Sequence, residues 1–424
     1  MRTSVRDEPC TNHLDARITL RHFPAAPYVS RSRAYALLAG VFVAGMLGAT
    51  LPTPLYVLYQ SEYHFTSAVI TVIFGMYAVG VLVALLFLGH TSDHFGRRPV
   101  LAAALGVAFV STLFFVFAQN VPLLLAGRFL SGICAGLLSG TATAALAELQ
   151  PAGNPQEAAR VATAASMGGL GLGALVAGLF AQFAPAPTRL VYVVYLALVV
   201  VALVIVGMLP ETVEAPDHVW DLRPRVSVPP SARAVFMQAA VAVFCAFTVL
   251  GLFTSLASSF LRSTLHQPNL ALAGAVVFLL FGTGAVSQLT LHHLTSRAAL
   301  LAGLVLLLLA LALVELGLAL PSLVFFLAGT IVAGLGVGLA FMGSLAAINQ
   351  IAPPGRRAEL ISAFYVVAYL GITVPVLGVG VLAQVTNLLI ASICLAVVVA
   401  ILLLFTLAAL LSSEHGSAMQ QSGS

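Results

Sequence analysis

The chain has 424 residues, of which 60% are hydrophobic and 8% charged, with a net charge of +4 at pH 7 and a mean hydropathy of +1.07. Soluble domains carry about 25% charged residues, so this composition excludes water as the main solvent. The four cysteines, Cys10, Cys134, Cys245 and Cys394, stand apart without ligand spacing, which argues against a disulfide framework and a metal centre.

Residues 1–33 hold six arginines and no apolar segment of the cleaved-leader kind, so a retained cytosolic tail is expected there. Beyond it, apolar segments of the ~20 residues that cross a ~30 Å hydrocarbon core recur. There are twelve, near 34–60, 67–90, 99–118, 121–147, 159–183, 187–209, 234–261, 269–290, 298–319, 321–350, 360–383 and 386–411. The breaks between them are short and rich in turn residues and charge, except 211–233, which is long, polar and proline-rich. The sequence therefore predicts an all-α membrane protein. Two six-helix bundles, 34–210 and 234–411, are joined by a cytosolic linker at 211–233 and followed by a cytosolic tail at 412–424. With the N-terminus in the cytosol, fifteen arginines fall on the cytosolic side and Arg189 and Arg262 on the other. The positive-inside rule then places both termini in the cytosol of an inner-membrane protein.

The first span offers Thr50, Thr53 and Tyr56 at the depth where Arg128 lies in the fourth, about seven residues into that span. A charge so placed costs ~2.5–3.5 kcal/mol on insertion scales unless paired or hydrated. Arg128 is expected to face a cavity, either bracing the first helix or serving coupling or a polar substrate. After the second span, Gly89 allows close helix approach, Gly96 allows reversal, and Asp93 and Arg97 can pair, with Arg98 beside them. The simpler reading makes Arg97 and Arg98 topology anchors. Glu148, at the end of the fourth span, is either a third member of that cluster or a solvated helix-end carboxylate. Gly132 and Gly136 present a flat face for a neighbouring helix; Gly173 and Gly178 do so in the fifth span. Pro375, Gly378 and Gly380 mark a bend in the eleventh, with Gly378 also expected to serve helix packing. Tyr77, Gln238, Thr248, Tyr365 and Tyr369 are candidates for a midplane pocket or for helix interfaces, and Glu315 lies toward the outer end of the ninth span.

The halves repeat. A shift of 202 residues lays Gly127, Gly132 and Gly136 on Gly329, Gly334 and Gly338, and Ala181-Gln182 on Ala383-Gln384. Six helices per copy keep the copies parallel, as in rocking-bundle transporters with a site between the halves. The same shift lays Arg128 on Thr330, so the fold alone does not demand the charge.

The run from Gly89 through Asp93 and Gly96 to Arg97 and Arg98 resembles the G-x-x-x-D-x-x-G-R-R/K signature of the major facilitator superfamily. Arg128 with Gly132 and Gly136 resembles its R-x-x-x-G-x-x-x-G signature. The stretch from Gly173 to Gly178 resembles the family's antiporter signature with the proline and one glycine missing. The resemblance implies alternating access by a monomer embedded in the bilayer, with no cofactor and no nucleic-acid partner. It further implies a small-molecule substrate, protons as the coupling ion through Asp93, Glu148 or Glu315, and a cytosolic latch of Asp93 and Arg97 that closes in the outward-facing state. Export of drug-like or amphipathic compounds is the favoured function, and uptake of a sugar, organic acid or other metabolite the alternative. No nucleotide loop or catalytic constellation marks an enzyme.

Overall fold

The computed structural model describes residues 29–89, 91–213, 228–353 and 356–422. Most of the expected N-terminal tail and of the linker lies outside these residues. The helices are α1 (Arg31–Thr50), α2 (Tyr56–Tyr63), α3 (Ser67–Phe87), α4 (Thr91–Phe95), α5 (Arg97–Val116), α6 (Val121–Leu149) and α7 (Pro155–Phe183). They continue as α8 (Pro187–Met208), α9 (Arg233–Ser263), α10 (Leu270–Thr290), α11 (Ser296–Ala319), α12 (Leu323–Ile351), α13 (Arg357–Val385) and α14 (Leu388–Ser422). Twelve are long and apolar enough to cross a bilayer; α2 and α4 are the exceptions. The last helix runs past 411 into the stretch expected as a tail.

Local chemistry sets the starts. Asn120 accepts from the Leu123 N–H and Asn154 from those of Gln156 and Glu157, each just before a proline in the first helical turn, where no N–H is needed. The helices α6 and α12 are offset by 202 residues at both ends, as are α7 and α13, matching the glycine repeat.

The expected first span, 34–60, is broken. Pro52 and Pro54 bring no N–H to the helical ladder, so the chain between α1 and α2 tightens into turns in which Thr53 N–H bonds Thr50 O at 3.0 Å and Leu55 N–H bonds Pro52 O at 3.1 Å. The repeat puts Thr254 and Leu256 at these positions, and α9 runs unbroken through them.

Small residues bring the helices together. A Cβ on Gly132 would lie 2.1 Å from Tyr77 O and one on Gly80 2.1 Å from Phe129 O, so α3 and α6 touch backbone to backbone. Gly136 packs on Ala84, Gly173 on Leu47 and Thr50 of α1, and Gly178 on Leu270 and Gly274 of α10. Gly378 differs from expectation: a Cβ there would meet nothing within 4 Å, and the close approach falls instead at Gly380, against Thr71 of α3. Pro375 sits inside a continuous α13.

Candidate functional site

A cavity of about 660 Å³ lies between the halves, lined by α1, α3, α6, α7, α9, α10, α12 and α13. Toward the face bearing α4, the motif face, its lining reaches Ala147 and Ala159, within about a turn of the ends of α6 and α7. Toward the far face the lining reaches Thr53, Phe74 and Arg128, the last two about 10 Å short of the ends of α3 and α6, and on α7 and α13 it stops at Leu170 and Ile372, leaving about 20 Å of those two helices beyond it. The cavity is therefore one-sided. Its walls are mostly apolar, and Arg128 is the sole charged residue among those that line it.

Arg128 is 1% exposed. Its Nη1 donates to Ala49 O at 2.6 Å, and its guanidinium lies over the rings of Tyr77 at 4.7 Å and Phe74 at 5.7 Å. The Ala49 carbonyl is available because of the prolines: in a continuous helix it would accept from Thr53 N–H, which here turns to Thr50. Arg128 supplies the missing donor. No carboxylate pairs with it among the described residues, and its Nε has no hydrogen-bond partner. Buried beside it, the Thr53 Oγ1 also lacks a partner, and the Tyr56 hydroxyl has the Arg128 guanidinium as its polar neighbour without a well-formed hydrogen bond, an unusual cluster for a packed interior.

Of the nine residues expected at the cavity, Arg128, Thr50, Thr53, Tyr77, Tyr365 and Tyr369 line it. Thr50 also ties α1 to α7 by donating to Leu170 O at 2.5 Å. Tyr56 lies behind the wall. Gln238 is little more than a turn into α9 and half-buried, away from the cavity. Thr248 is fully buried between α9 and α13, where its Oγ1 lies 2.9 Å from Phe244 O of its own helix and 3.0 Å from Gly371 O, its one proton shared between them. Gly371 lost its helical donor because the residue four later is Pro375, so Thr248 also caps a proline-freed carbonyl.

At the motif face, Arg97 gathers the charges. Its Nη1 reaches Asp93 Oδ1 at 2.5 Å and Ser92 Oγ at 2.7 Å, and its Nη2 reaches Glu148 Oε1 at 2.8 Å. Glu211, two residues past the expected sixth span and the first residue of the expected linker, accepts the Arg97 N–H at 2.8 Å and the Arg98 N–H at 3.0 Å. It caps the start of α5, where a carboxylate is favoured. Thr212 donates to Glu148 Oε2. Gly96 makes the arrangement possible: its φ is 94°, and a Cβ there would lie 2.7 Å from Glu211 Oε2. The signal for Glu211 was a lone carboxylate at a span end, which names no partner by itself. Between the halves on this face, Arg160 Nη2 meets His292 Nε2 at 2.5 Å; arginine only donates, so the imidazole accepts through Nε2.

The far face is closed by a matched pair. Gln182, at the end of α7, accepts the Leu270 N–H at the start of α10 at 2.9 Å. Gln384, its repeat equivalent at the end of α13, donates to Thr66 at the start of α3 at 2.8 Å. Below these bonds α7 packs on α10 and α3 on α13 through Gly178, Gly274 and Gly380.

Two parallel six-helix sets around a one-sided midplane cavity are the build of a secondary transporter. The chain belongs to the major facilitator superfamily, whose family model matches residues 37–374. Multidrug resistance protein MdtL of Escherichia coli is 33% identical over 76 residues, which are 18% of this chain and 19% of MdtL; MdtL of Shigella boydii matches to the same extent. The matched part spans about a fifth of the length of these curated relatives. Three solved structures superpose over 90% of this chain: the nucleoside transporter NupG (TM-score 0.70, 15% identity, all of that chain), a bacterial homologue of the human lysosomal transporter Spinster in an inward-facing, unoccupied conformation (0.65, 16%, 94%), and the human organic anion transporter MFSD10 (0.64, 18%, all of that chain). At such identities the likeness shows the fold.

Proposed function

We propose that this chain exports small amphipathic, drug-like solutes across the inner membrane by alternating access, in exchange for protons, with both termini in the cytosol. The observation that carries this reading is the apolar, aromatic-bearing cavity of about 660 Å³, reachable from one face only. With the arginine-rich face in the cytosol, that opening is where an exporter loads its cargo. The short match to the multidrug resistance protein MdtL supports the direction. A sugar would need convergent polar groups that these walls hold sparsely.

In this reading the two bundles, 34–210 and 234–411, rock about the cavity, each monomer holding a complete site. The glutamine bonds and glycine contacts of the far face part as the motif face closes. Asp93, Arg97, Glu148 and Glu211 set the motif-face gate, and Asp93, Glu148 or Glu315 takes the proton, since the cavity walls hold no carboxylate.

The test is reconstitution in vesicles under an imposed pH gradient, following internal pH while dyes, antibiotics, sugars and carboxylates are added, with Asp93→Asn as control. Proton movement triggered by amphipathic compounds and lost in the variant supports export by exchange. Proton movement triggered by sugars alone, or none with any compound, sinks it.

A further inference from the structure

We infer that the cavity selects solutes carrying an anionic head, a carboxylate on an apolar body, with Arg128 as the charge partner. The inference rests on the transport reading of the cavity and narrows its substrate class.

Three observations carry it. First, Arg128 is the sole charged residue among those lining the cavity. A cationic solute would meet one positive charge and no counter-charge; an anion would meet an unneutralised cation in a low-dielectric space, where the attraction is strong.

Second, the guanidinium is half used. Nη1 is held by Ala49 O, while Nε has no partner and the Tyr56 hydroxyl stands beside the guanidinium. Nε and Nη2 form one edge of the planar fork, the edge that receives a carboxylate in bidentate fashion. The Thr53 hydroxyl, unpaired and on the same wall, is a further donor. Phe42, Met46, Leu250, Phe281 and Phe341 supply an apolar surface for the body of the solute.

Third, capping the Ala49 carbonyl needs no charge, and the charge otherwise meets the rings of Tyr77 and Phe74. Capping a carbonyl freed by proline is done at Gly371 by the neutral hydroxyl of Thr248. At the repeat equivalent of Arg128, Thr330 bonds only within its own helix, at 2.8 Å to Phe326 O. The charge, costly at this depth, is left for a ligand. Export of an anion is also favoured by an inside-negative potential, so a cavity without carboxylates suits that cargo.

The full-length protein in vesicles is given three probes of one skeleton: naphthylacetate, naphthylacetamide and naphthylethylamine. The wild type should move the carboxylate about tenfold faster than the amine, a difference of about 1.4 kcal/mol. Arg128→Gln should cut naphthylacetate movement about tenfold while leaving naphthylacetamide within about twofold. Arg128→Lys, which keeps the charge but loses the fork, should retain part of the carboxylate rate. Elution as a single folded species checks each variant. If Arg128→Gln does not fold, the wild-type order of the three probes decides. Preference for the amine, or an equal fall of all probes in Arg128→Gln, overturns the anion inference while export stands. No movement of any probe by the wild type removes both.

Discussion

Two carbonyls in this bundle are released by prolines and rescued from a neighbouring helix, and the rescuers differ. At Gly371 the donor is Thr248, neutral and fully buried at the interface of α9 and α13. At Ala49 the donor is Arg128, charged, beside the Thr53 and Tyr56 hydroxyls and against the cavity. The first pairing answers the rule that backbone groups in lipid must be satisfied internally. The second answers the same rule with a group that costs ~2.5–3.5 kcal/mol to insert. The difference separates a packing device from a site: where a hydroxyl suffices, a cation is present for something else.

The largest effect that would break this comparison is a crossed pattern between two single substitutions. Arg128→Gln removes a buried charge and its bond to a carbonyl. The relief of ~2.5–3.5 kcal/mol on insertion scales roughly offsets a charged hydrogen bond of ~1.5–3 kcal/mol, so stability should move by only about 1 kcal/mol while carboxylate transport falls about tenfold. Thr248→Val removes no charge and leaves Gly371 O unpaired, which costs about 1–3 kcal/mol, yet it should leave transport per folded molecule within about twofold. Melting temperature in detergent and initial rates in vesicles measure the two axes. Parallel losses for both variants would make Arg128 another brace.

Most of the fold was legible in the sequence because bilayer thickness sets span length and the glycine repeat sets the relation of the halves. The helix break was legible only in part. Pro52 and Pro54 stand in plain view, but a proline can start, kink or end a helix, and choosing requires knowing who satisfies the freed carbonyl. The answer lies 79 positions away in Arg128. The same long-range accounting hid Thr248, which reads as a midplane polar residue and is a cap for Gly371. Gln238 needs no structure to place: with the span expected from 234 and α9 beginning at Arg233, it lies little more than a turn into the helix, short of the midplane. Glu211 was hidden by its segment, since a carboxylate in a polar linker looks solvated until α5 is seen to begin beneath it. Gly378 and Gly380 both follow Pro375, and which of them meets a neighbouring helix depends on rotation about the helix axis, which packing sets and spacing does not.

A smaller effect sharpens the comparison by removing the prolines. In Pro375→Ala, residue 375 regains an N–H for Gly371 O, so Thr248→Val should cost about 1 kcal/mol less in that background than alone, the coupling expected of groups sharing one partner. In the first half, Pro52→Thr with Pro54→Leu copies the residues that the repeat places in the unbroken α9, and lets Thr53 N–H return to Ala49 O. There the stability cost of Arg128→Gln should change by a similar amount, about 1 kcal/mol. Transport must behave differently in the two cycles. Once the Ala49 carbonyl is served by the backbone, Arg128 has no carbonyl left to cap, so if carboxylate transport still falls about tenfold on Arg128→Gln, the loss is that of a charge partner for the solute. If the proline variants abolish the transport requirement for Arg128 along with the structural one, the arginine acted through the helix break alone and its charge was incidental.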